Sequence, residues 1–232
     1  MAVGFSSALI VGAGSGLSAS LARALKAEGV KLALAARSTA DLAGLAQETG
    51  AALFTCDASK RAEVDKLFAD LDGSLGAPEI VIFNPSYRTR GPVAELDPAE
   101  VEKALMVSAF GGFLVAQQAV KRMLPKKHGC IVFTGASASV KGYAQSAPFA
   151  MGKFALRGLA QSMARELHPQ GIHVAHVIID GGIKSERRQD PPGKTASLLD
   201  PDAIAATYLS VIRQPQSAWS HEVEVRPWVE SF

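Results

Sequence analysis

Short continuous apolar runs alternate along the chain with longer stretches in which apolar residues recur every three or four positions. The first run, Ser7-Ala-Leu-Ile-Val-Gly12, has the pattern of a strand buried on both faces. Leu17, Leu21, Ala24 and Leu25 follow at helical spacing, and Gly29 closes a helix over 15–28. The same reading predicts strands at Val30 to Ala36, Ala51 to Cys56, Glu79 to Asn84, Gly129 to Thr134 and Ile172 to Ile179, with an edge strand at Glu222 to Arg226. Helices are predicted near 39–48, over 60–71, from Asp97 to about Met123, over 147–168, and from Asp200-Pro201-Asp202 onward. At Asp97-Pro98-Ala99-Glu100 the aspartate is the expected cap, proline suits the first turn, and Glu100 completes a capping-box-like pair.

Continuous apolar strands separated by amphipathic helices imply an α/β fold. The expected architecture is a doubly wound, Rossmann-like parallel sheet of about seven strands with helices on both faces. No repeat or Gly/Ser linker interrupts the pattern, so residues 1–232 are read as a single domain. Ligands in such sheets sit at the carboxyl ends of the strands. Composition narrows the classes. With 48% hydrophobic and 20% charged residues over 232 positions, the chain can bury a sizeable core and is not disordered. A net charge of +2 makes no electrostatic case for nucleic acid. Two cysteines, Cys56 and Cys130, cannot build a disulfide scaffold or a four-thiolate zinc site, and they suit a reducing compartment. No run of about 18 apolar residues is present for a membrane span. No Lys or Arg precedes Arg23, which makes a poor signal peptide, so a cytoplasmic location is expected.

The first candidate chemistry lies at Val11-Gly12-Ala13-Gly14-Ser15-Gly16-Leu17-Ser18, between the first strand and the first helix. Glycines there allow a tight turn and close approach of a pyrophosphate, which the helix N-terminus attracts. Leu17 stands where the last glycine of G-x-G-x-x-G would be; the spacing G-x-x-x-G-x-(small), with Gly12, Gly16 and Ser18, fits better. An NAD-binding chain normally carries an acid at the end of the second strand. Here Ala36 leaves room, and Arg37 with Ser38 suits a 2′-phosphate, so NADP is expected over NAD. The same missing acid argues against a methyltransferase.

Together these features resemble the short-chain dehydrogenase/reductase family over nearly the whole chain. On that resemblance, Gly14, Ser15, Gly16 and Leu17 join Gly12 around the cofactor, and Asp57 and Ala58 of Cys56-Asp57-Ala58 contact the adenine ring. Phe83-Asn84-Pro85-Ser86 is similar to the family's Asn-Asn-Ala-Gly, keeping Asn84 and placing Pro85 beside the cofactor. Asp180-Gly181-Gly182-Ile183-Lys184-Ser185 matches Pro-Gly-x-Val-x-Thr, which implies nicotinamide contacts from Gly181, Ile183 and Ser185. Lys153 falls on the family's active-site lysine, which holds the nicotinamide ribose and lowers the pKa of a catalytic tyrosine. The tyrosine itself is absent: Phe149 occupies its place in Phe149-Ala150-Met151-Gly152-Lys153. The serine position, thirteen residues earlier, is Ala136, and the helix asparagine position is Ser108.

Carbonyl reduction needs a proton as well as a hydride, and neither Phe149 nor Ala136 can supply or hold one. Losing a positioned acid costs roughly 10²–10⁴ in rate, and losing an oxyanion donor about 10²–10³. Three substitutes lie in the sequence: Tyr143 on the loop before the helix, Ser137 or Ser139 after Ala136, and Lys153 itself if burial lowers its pKa. An activated alkene or imine that takes its proton from water would ask less of the protein. The expected function is therefore an NADP(H)-dependent oxidoreductase acting on a small molecule, with Ala136, Ser137, Tyr143 and Phe149 lining the substrate pocket. The alternative is a non-catalytic NADP(H)-binding redox sensor or partner subunit.

No metal site is expected: His173 and His176 differ by an odd number and a strand sends them to opposite faces. No G-x-S-x-G motif marks a serine hydrolase. Residues 184–199 match the position of the family's substrate lid, and the charges of Arg187, Arg188 and Lys194 there fit either a solvated flexible loop, the commoner case, or an acidic substrate. Phe110-Gly111-Gly112-Phe113 places small residues inside a helix, at about 1 kcal/mol each. Either close packing on the sheet or the family's four-helix interface would offset that, the latter implying a homodimer or homotetramer.

Overall fold

A computed structural model describes residues 4–185, 188–193 and 196–229. Seven strands form one parallel sheet: β1 (Ser7–Val11), β2 (Lys31–Ala36), β3 (Ala52–Thr55), β4 (Ile80–Phe83), β5 (Gly129–Thr134), β6 (Ile172–Ile179) and β7 (Glu222–Val225). Their order is β3-β2-β1-β4-β5-β6-β7. The helices are α1 (Leu17–Ala27), α2 (Ala43–Thr49), α3 (Arg61–Ser74), α4 (Pro98–Leu105), α5 (Gly111–Met123), α6 (Ala147–Leu167) and α7 (Pro201–Ile212). Alternate strand residues serve two cores. Ala8 and Ile10 pack with Leu21, Leu25 and Tyr208 from α1 and α7. Leu9 and Val11 pack with Phe68, Leu114 and Leu156 from α3, α5 and α6. Burial on both faces is why these strands carry unbroken apolar runs.

Differences from the sequence reading are local. The stretch read as a helix over 39–48 is a 3₁₀ turn, Ala40–Leu42, followed by α2. Asp97 caps α4 by accepting the Ala99 N–H at 2.9 Å, but Glu100 forms no capping box. Its carboxylate instead accepts the Tyr87 hydroxyl and pairs with Lys103 at 3.5 Å, because the loop after β4 brings a better donor than the helix end offers. The helix expected to run unbroken to Met123 is interrupted by a π-helical turn, Met106–Phe110. That wide turn lies against α6, where a Cβ on Gly152 would stand 2.9 Å from Ser108 Cβ. Both helical glycines pack closely within the chain: a Cβ on Gly111 would lie 2.9 Å from the Ala58 carbonyl oxygen, and one on Gly112 2.5 Å from Leu156 Cδ1. The rings of Phe110 and Phe113 remain exposed, as do Met151 and Phe154 on α6. Among the described residues no helix is long and apolar enough to cross a membrane.

Candidate functional site

The sheet order reverses at β1, which has β2 on one side and β4 on the other. Connections leave this point in opposite directions and open a crevice at the carboxyl ends of the strands. Gly12 follows β1 with φ of 77°, and a Cβ there would lie 2.6 Å from the Pro85 backbone nitrogen. Only glycine lets the exits of β1 and β4 approach so closely. Gly14 and Gly16, by contrast, face open space and line a cleft. No side chain caps α1 at Gly16, so the first-turn N–H groups at Leu17 stay available beside that cleft. Ser18 donates to the Gly12 carbonyl at 3.2 Å and accepts from Asn84 Nδ2 at 2.8 Å. The Asn84 amide is thus a clamp between β4 and the glycine turn, a use that sequence pattern alone does not reveal.

Two clefts meet at Ala13 and Ser38. The first, about 420 Å³, is lined by Ala36, Arg37, Asp57, Ala58, Asn84 and Pro85 among others. Burial works to raise the Asp57 carboxyl, but two hydrogen bonds from Ser59, with the Lys60 and Arg37 charges, hold it below the usual range. The second, about 550 Å³, runs past Gly14, Ser15 and Gly16 to Lys184 and Ser185. Ile183 pairs with Leu199, and the Ser185 N–H donates to the Arg188 carbonyl at 2.9 Å, so the segment after β6 folds back on itself. Gly181 lies at its root, where a Cβ would meet Pro227 Cδ at 2.8 Å. Arg187 and Lys194 lie outside the described residues.

On α6, Lys153 lines neither cleft; it is 2% exposed and donates to the Thr134 carbonyl at 2.8 Å. Burial, reinforced by the charge of Arg88, lowers its pKa to about 8. Phe149, one turn earlier, is 4% exposed, with its ring centroid 5.9 Å from Lys153 Nζ. Arg88 covers this ring, its guanidinium carbon 4.0 Å from the centroid. Ala136 is extended, and its N–H donates to Ser139 Oγ at 3.1 Å. Ser139 is fully buried and reaches His176 Nε2 at 3.3 Å, so it faces inward, whereas Ser137 beside it is half-buried. Tyr143 is 48% exposed on the loop before α6. Ser108 Oγ is buried without a hydrogen-bond partner among the described residues.

The surrounding polar groups are structural. Burial drives the His176 pKa down to about 4 despite Glu222, which Arg157 grips with two 2.7 Å bonds. His173 stacks on Trp219 at 4.7 Å. Asp180 is buried and paired with Lys141 at 3.0 Å and Arg226 at 3.1 Å. Sequence reasoning missed Arg88, whose loop carries no motif. It also missed Tyr208, whose hydroxyl meets Thr134 Oγ1 at 2.8 Å.

Comparison with known proteins agrees with this geometry. The family model for short chain dehydrogenase matches residues 6–192. An uncharacterized oxidoreductase of Staphylococcus aureus (strain N315) is 25% identical over 226 residues, covering 95% of this chain and 96% of that one. A crystal structure of a short-chain dehydrogenase from Rhodopseudomonas palustris is 34% identical with a TM-score of 0.83, covering 96% of this chain and 99% of its own. A metagenomic short-chain oxidoreductase in complex with NADP shares the fold, with a TM-score of 0.85, 24% identity and 99% of both chains covered. With the switch-point crevice and the glycine turn at its mouth, the chain belongs to the short-chain dehydrogenase family.

Proposed function

We propose that this protein is an NADP(H)-dependent oxidoreductase whose active site works without the family's tyrosine and serine. The observation that carries this reading is the tip of β2: Ala36, Arg37 and Ser38 line the cleft there, with no carboxylate in the place that would hold a free 2′-hydroxyl. The open surface of Gly14 and Gly16 and the uncapped start of α1 fit a pyrophosphate. Gly12, Ser15 and Leu17 shape the same turn. Asp57 and Ala58 would flank the adenine, Asn84 and Pro85 the middle of the crevice, and Gly181, Ile183 and Ser185 the nicotinamide amide. NADP bound to the metagenomic relative is consistent with this assignment.

The bound cofactor supplies the hydride; the chain supplies position and charge. Lys153 holds the nicotinamide ribose and places a cation beside the reacting centre. Phe149 and Ala136 give no proton, Tyr143 is on the surface, and Ser139 faces the interior, which leaves water, the half-buried Ser137 or the Lys153 ammonium as the source. Cations at Lys153 and Arg88 favour a substrate on which negative charge builds, such as an alkene conjugated to a carbonyl, and they repel a cationic iminium. Residues 184–199 act as the substrate lid within a single domain spanning 1–232. The exposed rings of Phe110, Phe113 and Phe154 support a homodimer or homotetramer built on α5 and α6.

Thermal melts with NADPH and NADH test the cofactor. Ligand at a hundred times Kd stabilises by about 2.7 kcal/mol, a rise of roughly 5–10 °C for a chain of this size. NADPH should shift the midpoint more than NADH, and Arg37→Ala should remove the gap. Equal shifts in the parent protein would refute the 2′-phosphate assignment, and no shift with either would refute dinucleotide binding. NADPH consumption is then followed with ketones, enones and imines. Tight NADPH binding without turnover on any of them would support the sensor reading instead.

A further inference from the structure

The cleft of about 550 Å³ beside the glycine turn is built from two distant parts of the chain. Gly14, Ser15 and Gly16 line it together with Lys184 and Ser185, from the segment after β6. Two cations, Arg23 and Lys184, are among its lining residues. Arg23 is committed within the fold: its Nε donates to one carboxylate oxygen of Glu48 at 2.7 Å, and its Nη2 to the other at 3.0 Å. Lys184 is held far more loosely. Its Nζ stands 3.9 Å from Asp190 Oδ2, beyond hydrogen-bond length. That carboxylate is engaged elsewhere, accepting the Ser197 hydroxyl at 3.0 Å and the Leu198 N–H at 2.9 Å. Asp41 and Asp202 also line the cleft, and among the described residues neither forms an ion pair with Lys184.

The backbone at Lys184 is fixed even though its side chain is 47% exposed. The Lys184 N–H donates to the Leu199 carbonyl at 2.8 Å, and the Leu199 N–H donates to the Gly182 carbonyl at 2.8 Å. Leu199 in turn is buried in the core that α1 and α7 cover. Pro201 and Asp202, at the start of α7, line the same cleft. The core thus anchors the root of a four-carbon stem beside the glycine turn, and the stem carries an ammonium with three donors into the cleft.

We propose that Lys184 binds the pyrophosphate of the coenzyme, bringing a full positive charge to a turn that has none of its own. This rests on the NADP(H) reading above and adds a residue to it. From Gly12 to Leu17 the turn has no charged side chain. It offers phosphates only backbone N–H groups and the partial charge of an uncapped helix start. An ammonium on a flexible stem meets a phosphate as a point charge, without the fixed fork that a guanidinium imposes. The pyrophosphate rather than the 2′-phosphate is its partner because Lys184 shares a cleft with Gly14 and Gly16, whereas Arg37 lines the other cleft.

Calorimetric titration of the parent protein, Lys184→Met and Lys184→Arg with NADPH, NADH and adenosine 2′-monophosphate tests the proposal. Both dinucleotides carry the pyrophosphate; adenosine 2′-monophosphate carries the 2′-phosphate alone. Lys184→Met should weaken NADPH and NADH by the same factor, roughly three- to tenfold for a half-exposed cation, and leave adenosine 2′-monophosphate unchanged. The loss should shrink as salt rises. Lys184→Arg keeps the charge and should restore most of the affinity. Parent-like NADPH binding by Lys184→Met overturns the proposal, as does a loss in Lys184→Arg as large as that in Lys184→Met. A loss confined to NADPH and adenosine 2′-monophosphate also overturns it, because the ammonium would then sit on the 2′-phosphate. Failure of both dinucleotides to bind the parent protein is a separate result: it refutes the cofactor assignment and this extension with it.

Discussion

Replacing Lys153 by methionine isolates the cost of one buried ammonium. Burial, with a contribution from Arg88, lowers the Lys153 pKa from 10.5 to about 8. Each unit corresponds to about 1.4 kcal/mol, so ionisation of this residue opposes folding by roughly 3 kcal/mol below pH 8. In the unfolded chain the same lysine keeps its proton until pH 10.5. Between these limits the unfolded state binds more protons than the folded one, and stability rises with pH. Lys153→Met fills the same space with an unbranched side chain and has no proton to lose. Its lost bond to the Thr134 carbonyl shifts stability by an amount that does not depend on pH. The thiols of Cys56 and Cys130, both pushed up to about 12 by burial, titrate alike in both proteins and cancel in the difference. Urea unfolding of both proteins from pH 7 to 9.5, followed by circular dichroism, should show the parent gaining roughly 2 kcal/mol relative to the variant. A flat difference across that range would mean that the ammonium is solvated or neutralised, and the account of Lys153 as a buried cation would fail.

Gly12→Ala adds a Cβ 2.6 Å from the Pro85 nitrogen at a φ of 77°. It should abolish the NADPH-induced thermal shift and lower the melting temperature; an unaltered shift would refute the close approach of β1 and β4. Tyr208→Phe leaves Thr134 Oγ1 buried without its 2.8 Å partner, which should cost about 1–2 kcal/mol in urea unfolding. Gly112→Ala drives a methyl to 2.5 Å from Leu156 Cδ1 and should cost about 1–3 kcal/mol, measured the same way.

The sheet was legible because burial on both faces forces each strand to be apolar throughout, a local property of the chain. β5 and β6 occupy the residues read from sequence, and the edge strand near 222 pairs in parallel with β6. The cap at Asp97 was legible for the same reason, since an aspartate before a proline needs only its own helix. Glu100 was misread because its partner, Tyr87, is brought to it by a loop rather than by helical spacing. Arg88 carried no signal at all. Its position over Phe149 depends on where the chain leaving β4 crosses the chain entering α6, and neither segment contains that information alone.

By itself, then, the order of residues determined the layered α/β architecture and the glycine turn at the first strand–helix junction. Each follows from local periodicity or from one residue at one place. Only the tertiary structure decided that Arg88 and Lys153 both lie near the Phe149 ring, that Gly111 and Gly112 pack within the chain, and that Ser139 faces inward while Tyr143 stays on the surface. Those outcomes depend on distances between segments far apart in the chain, and such distances are set when the two faces of the sheet are covered together.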